Sequence, residues 1–197
     1  MLYINMVNTY KLVNPYISGN MSTNIKARNS VEAANMLYKG LSEHFNNSPP
    51  AFYFTIQKGG SGNGPLYHFK VSEKMKGDEV NFSVKQHTLN NNETSVTNFK
   101  NKLEQFKAKF DQLGGKKSKS RSKSKKSKKH NSSSDSDSDL DVSSDELYKR
   151  VQSYVPVNQP IYYWWYDPYL YNLNSVFLPT FYSYVSPLME LSLVSIP

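Results

Sequence analysis

Apolar residues fall into three regimes of different period along this chain. From Ser30 to Phe45 they recur at helical spacing, with Ala34, Leu37, Tyr38, Leu41 and Phe45 on one stripe, which predicts a helix with a single buried face. Asn29 or Ser30 can cap it, Asn29 and Glu32 stand at capping-box spacing, and Asn46-Asn47-Ser48-Pro49-Pro50 stops it. Gly40 weakens the helix without ending it. The period then drops to two. Phe52, Phe54 and Ile56 alternate with Tyr53, Thr55 and Gln57, then Tyr67, Phe69 and Val71 with His68 and Lys70, then Val80, Phe82 and Val84 with Asn81, Ser83 and Lys85. Three strands of an antiparallel meander are predicted, with one buried and one wet face. A helical period returns from about Thr94 to Leu113, where Val96, Phe99, Leu103, Phe106, Phe110 and Leu113 draw a narrow seam closed by Gly114-Gly115. Packing of this seam in cis on the apolar face of the sheet is expected. A coiled-coil dimer usually wants three or four heptads, and the seam has barely two and a half.

The fold class that follows is α+β: a small α-β-β-β-α domain over residues 30–115. Residues 1–29 mix apolar residues with Asn, Ser, Pro15 and Gly19 and read as an irregular segment holding one short strand at Leu2–Val7. Beyond the domain the pattern stops. Residues 116–146 contain almost nothing that could enter a core, so this charged stretch is expected to remain a disordered linker. Residues 147–197 form a tail of another character, rich in Tyr and Trp, whose Pro168, Pro179 and Pro187 forbid a long helix.

Charge sharpens the picture. The chain has 197 residues and a formal net charge of +8. The linker opens with nine cations, Lys116, Lys117, Lys119, Arg121, Lys123, Lys125, Lys126, Lys128 and Lys129, and turns acidic from Asp135 to Glu146. Such a run neutralises phosphates without reading bases, so nucleic acid or another polyanion is the expected partner. A run of this kind also serves as a nuclear-import patch. The bland alternative is a solubilising tether. In the acidic half Ser132, Ser134, Ser136, Ser138 and Ser143 each carry an acid three residues on, the spacing an acidophilic kinase favours. Phosphate there would deepen the negative block and let it compete for the basic half.

The aromatic run Tyr162-Tyr163-Trp164-Trp165-Tyr166-Asp167-Pro168-Tyr169 is too apolar to stay bare in water. Tyr163, Trp164, Trp165, Tyr166 and Tyr169 are therefore candidates for docking, either on the chain's own domain or on a partner such as a protein lattice, with base stacking as a third use.

Catalytic chemistry finds no foothold. The absence of Cys removes disulfides, Cys-ligated zinc and thiol catalysis. His44, His68, His87 and His130 lack metal-ligand spacing, so no metal site and no cofactor are expected. His44 is expected at a helix end, and His68 and His87 on the wet strand face. The glycines of Lys58–Pro65 join two strands rather than a strand and a helix, which argues for a hairpin turn over a phosphate cradle. No Ser/His/Asp grouping assembles, and the expectation is that this is not an enzyme. The first ten residues lack a basic region and an apolar core of signal-peptide type, and no stretch is apolar enough to span a membrane.

Two resemblances follow from these residues. The α-β-β-β-α order, with both helices on one face of the sheet, resembles the double-stranded-RNA-binding domain, and Gly64-Pro65-Leu66-Tyr67-His68 is similar to that family's Gly-Pro-x-His turn. His68 stands one residue late, and Asn92-Glu93-Thr94-Ser95-Val96 replaces the family's basic helix start. More broadly, a small Tyr- and Phe-rich domain, a Lys/Ser-then-Asp/Ser linker and a tail with Asp167-Pro168-Tyr169 and Leu178-Pro179-Thr180-Phe181 resemble uncharacterised proteins of nucleocytoplasmic large DNA viruses, the giant viruses. That resemblance implies a virion or virus-factory setting, with capsid or core proteins as further partners; without it a nuclear or cytoplasmic location is expected, and the first ten residues argue against secretion. It brings no catalytic residues to map. The expected function is non-enzymatic association with nucleic acid. A structural protein anchored in a virus particle by its aromatic tail, and a double-stranded-RNA-binding module, are the alternatives.

Overall fold

Helix α1, Ser30–Ser42, forms where its capping residues direct it. The Asn29 side chain accepts from the Glu32 amide at 2.7 Å. The Glu32 carboxylate reaches back one residue further than expected, accepting from the Arg28 amide at 2.8 Å. The predicted stripe is fully buried, from Ala34 to Phe45. A computed structural model describes residues 7–59, 63–77, 79–90, 93–113, 148–151, 159–182 and 187–192. The two halves of the charged linker and the predicted strand residues Leu2–Met6 lie outside these.

The class is α+β, and the meander is present as β4 (Phe52–Lys58), β5 (Leu66–Lys76) and β6 (Glu79–Gln86), all antiparallel. It is the middle of a larger sheet. Residues 1–29, expected to be largely irregular, supply β1 (Asn8–Asn14), β2 (Tyr16–Gly19) and β3 (Asn24–Ala27). β7 (Tyr148–Val151) pairs with β6, which gives a six-stranded sheet in the order β3-β1-β4-β5-β6-β7. After a cis peptide at Asn14-Pro15 the chain leaves this sheet, and β2 joins β8 (Ile161–Tyr166) and β9 (Leu188–Leu191) in a second sheet ordered β2-β8-β9. Gly19 lets β2 approach closely, since a Cβ there would lie 2.4 Å from the Pro160 carbonyl oxygen.

Packing follows from which face each strand shows. Tyr38 of α1 lies against Phe52, Phe54 and Phe82, so α1 covers the predicted apolar face of the large sheet. Helix α2 (Glu93–Leu113) packs in cis, as its seam predicts, but on different partners: it does not join α1 on the large sheet. Phe106 stacks on Trp165 at 5.1 Å with the rings 6° from parallel, and meets Tyr163 of β8 and Tyr16 of β2. Its buried residues, Phe99, Leu103 and Phe106, cover the small sheet. The two-helices-on-one-face layout of the double-stranded-RNA-binding domain is therefore not the layout here.

Candidate nucleic-acid interface

The nine cations from Lys116 to Lys129 and the serines Ser132, Ser134, Ser136, Ser138 and Ser143 lie outside the described residues. Their flanks do not. α2 runs to Leu113, and β7 begins at Tyr148 opposite Phe82 of β6. The charged stretch thus lies in the sequence between two elements of one fold. The described parts of the tail pack on the chain's own domain, the first of the docking uses expected of it: β7 pairs with β6 and β8 with β2.

Four of the five docking candidates are spent inside the molecule. Trp164 is 0% exposed and lies against Phe45 and Phe52, while Tyr166 stacks on Phe52 at 5.7 Å. Tyr163 and Trp165, on the other face of β8, take the rings of α2. A strand buried on both faces has no surface to offer a partner, so Tyr163, Trp164, Trp165 and Tyr166 are core residues. Tyr169, 48% exposed, alone remains on the surface. Phe181 adds to the anchoring by packing edge-on against Phe45 and Trp164. His44, at the end of α1 as expected, contacts the carbonyl oxygens of Gly40 and Gln159 at 3.0 and 2.7 Å, tying the chain just ahead of β8 to the helix.

Behind β4, a buried polar seam locks the tail to the sheet. Asn14 donates to the Asp167 carbonyl and to the Tyr171 hydroxyl, and accepts from the Asp167 amide, at 2.9–3.0 Å. Tyr171 belongs to the 3-10 turn Pro168–Tyr171, which Asp167 caps. With Asn14 donating to its oxygen, the Tyr171 proton has Thr55 Oγ1 as acceptor at 2.8 Å. The Thr55 proton then goes to His68 Nδ1, also at 2.8 Å. That order requires a neutral His68 protonated on Nε2. Burial first, and then His87, hold its pKa down at about 4. Burial raises Asp167 above the usual carboxylate range, although the Lys102 ammonium 3.5 Å away opposes it. Burial also pushes the Tyr171 hydroxyl well up. Thr55, at the middle of this hydroxyl chain, is 0% exposed. It is a clasp by construction. Thr55 and Gln57 were expected on a wet face and are buried: Thr55 lies against Tyr171 of the turn at 168–171, and the Gln57 side chain donates to the Gly64 carbonyl at 3.0 Å.

The clasp sets a pH dependence. A histidine whose folded pKa lies below its unfolded value binds fewer protons when folded, so stability falls as pH drops from about 6.5 towards 4. From the shift on His68, roughly 2–3 kcal/mol is expected to be lost over that window. Urea unfolding at pH 7 and pH 4.5 should show this loss, and His68→Gln should flatten the slope. An unchanged slope in the variant would remove His68 as its origin.

The open part of the same sheet face lies over β5 and β6. Tyr53, Lys70 and Lys85 form a row across three strands, with Lys70 paired to Tyr53 on one side and to Lys85 on the other. The Lys70 ammonium sits 5.7 Å from the centre of the Tyr53 ring. His87 touches the same ring edge-on at 5.1 Å, and its pKa is lowered by burial and then by Lys70. Among the described residues no His/Cys/Asp/Glu group could hold a metal, and no helix is long and apolar enough to cross a membrane. The glycine stretch does join β4 to β5, with Gly59 at φ 86° and the Lys58 amide on the Pro65 carbonyl; residues 60–62 of it lie outside the described set.

Comparison with known proteins gives one informative match. No protein-family model and no solved structure matches the chain. A protein of Acanthamoeba polyphaga mimivirus, described only as uncharacterised, is 42% identical over 71 residues, 36% of this chain and 38% of the relative. The chain thus spans under two fifths of that relative's length. The resemblance to uncharacterised giant-virus proteins rests on this similarity.

Proposed function

We propose that this chain is a non-enzymatic, nucleic-acid-associated protein that holds phosphate backbones through the cationic loop Lys116–Lys129. The observation that carries the reading is a run of nine cations, Lys116 to Lys129, in the sequence between α2 and β7. The run's charge and length suit counterion release from a polyanion and give no means of reading bases. Similarity to a mimivirus protein supports a virion or virus-factory setting. The test is a salt titration of binding to random-sequence duplex DNA, comparing the intact chain with one whose nine loop cations are Ser.

The acidic half supplies regulation in this reading. Phosphate on Ser132, Ser134, Ser136, Ser138 and Ser143 adds close to two charges each. Treatment of the full chain with an acidophilic kinase is expected to weaken DNA binding measured at fixed salt. Equal affinity before and after would remove this part.

A second reading, attachment to a capsid or core protein, has the exposed side chains of Tyr169, Val176 and Phe177 in its favour. It predicts binding without a steep salt slope. The double-stranded-RNA reading gains nothing from α2, whose first turn carries Glu93.

A further inference from the structure

The geometry points to a second nucleic-acid contact on the folded body: the open face of β5 and β6, where Lys70 and Lys85 would hold the phosphate backbone. This rests on the polyanion-binding reading above but uses residues outside the loop.

Side chains directly opposite on neighbouring antiparallel strands are close enough to interact, and like charges in that position are unfavourable. Lys70 and Lys85 are such a pair. Among the described residues neither lysine has a carboxylate in ion-pair contact. On this face of β5 and β6 the carboxylate is Glu79, which stands opposite Lys76 at the hairpin end, three cross-strand pairs from Lys85. Lys74, exposed, lies four residues along β5 from Lys70. At about 3.3 Å per residue this spreads the cations over roughly 13 Å, about four base-pair steps of a duplex at 3.4 Å each. Neither helix covers them, since α1 occupies the opposite face through Tyr38 and α2 lies on the small sheet. Between them Ser72 and Ser83 face each other, half-buried hydroxyls able to donate to phosphate oxygens. The Tyr53 ring fixes the Lys70 head beside its neighbours rather than serving as a free stacking platform, so contact to the backbone is favoured over contact to bases.

The experiment uses the full chain and a random-sequence DNA duplex of about 30 base pairs, with anisotropy read between 50 and 200 mM salt. Lys70→Ser/Lys85→Ser should make the slope of log K against log salt shallower by about 1.8, two contacts at about 0.9 each. The affinity lost between those salts then shrinks about twelvefold. Lys70→Arg/Lys85→Arg should keep the wild-type slope. In a background with all nine loop cations replaced by Ser, residual salt-dependent binding should persist and disappear with the Lys70/Lys85 pair. If wild type binds steeply while the pair changes nothing, or tightens binding because the chain's own acidic block sits on this face, the inference is overturned and the loop reading stands. If wild type shows no salt-dependent binding, the loop reading falls first.

Discussion

Trp164→Ala should destabilise the whole fold by about 3–5 kcal/mol, the range for removing a large buried aromatic. The indole is fully buried between Phe45, Phe52 and Phe181, contributed by the end of α1, by β4 and by the distal tail. Truncation there opens a cavity shared by three parts of the chain. The indole Nε1 is buried without a hydrogen-bond partner, so the residue holds by packing and gives up nothing polar when changed. Trp164→Phe should accordingly cost much less than Trp164→Ala. Urea unfolding followed by far-UV circular dichroism measures both. A loss under 1 kcal/mol for the alanine variant would mean that the aromatic strand is a detachable arm. The same structure rules on experimental design: cutting the chain at His130 removes β7, β8 and β9 along with the acidic block, so loop function must be tested by substitution.

Replacing the nine loop cations by Ser should flatten the salt dependence of DNA binding. With about six phosphate contacts, wild-type affinity should fall on the order of a thousandfold between 50 and 200 mM salt, from a slope near −0.9 per contact. Most of that slope should vanish in the substituted loop, and sequence preference should stay absent in both proteins. Anisotropy on two unrelated duplexes checks this. A slope unchanged by the substitution would show that the loop is a solubilising connection. The fold should not change, because both attachment points, α2 and β7, are left alone.

What was legible in the sequence, and what was not, follows from how many faces each element buries. α1, β5 and β6 each hide one face, and β4 still alternates apolar with polar residues, so their apolar residues keep a period that was readable. β8 hides two. Ile161 and the run Tyr163–Tyr166 are all buried, so no alternation distinguishes a core strand from a sticky tail. β1 was masked for the opposite reason: Asn14, fully buried, looks like a loop residue until Asp167 and Tyr171 arrive to satisfy it. Thr55 was read as wet because its cover, Tyr171, comes from far along the chain. The cationic loop was legible from composition alone. The Lys70/Lys85 pair was not, since two lysines 15 residues apart become neighbours only once the register of β5 and β6 is known.

The clasp between Asn14 and Asp167 joins residues 153 positions apart. Its consequence is temporal. A nascent chain that has delivered everything through α2 still lacks part of the cover of Phe45, Phe52 and Phe106, because Trp164 and Trp165 have yet to leave the ribosome. Closure of such distant ends is entropically slow, and a half-made molecule is at its most aggregation-prone in that interval.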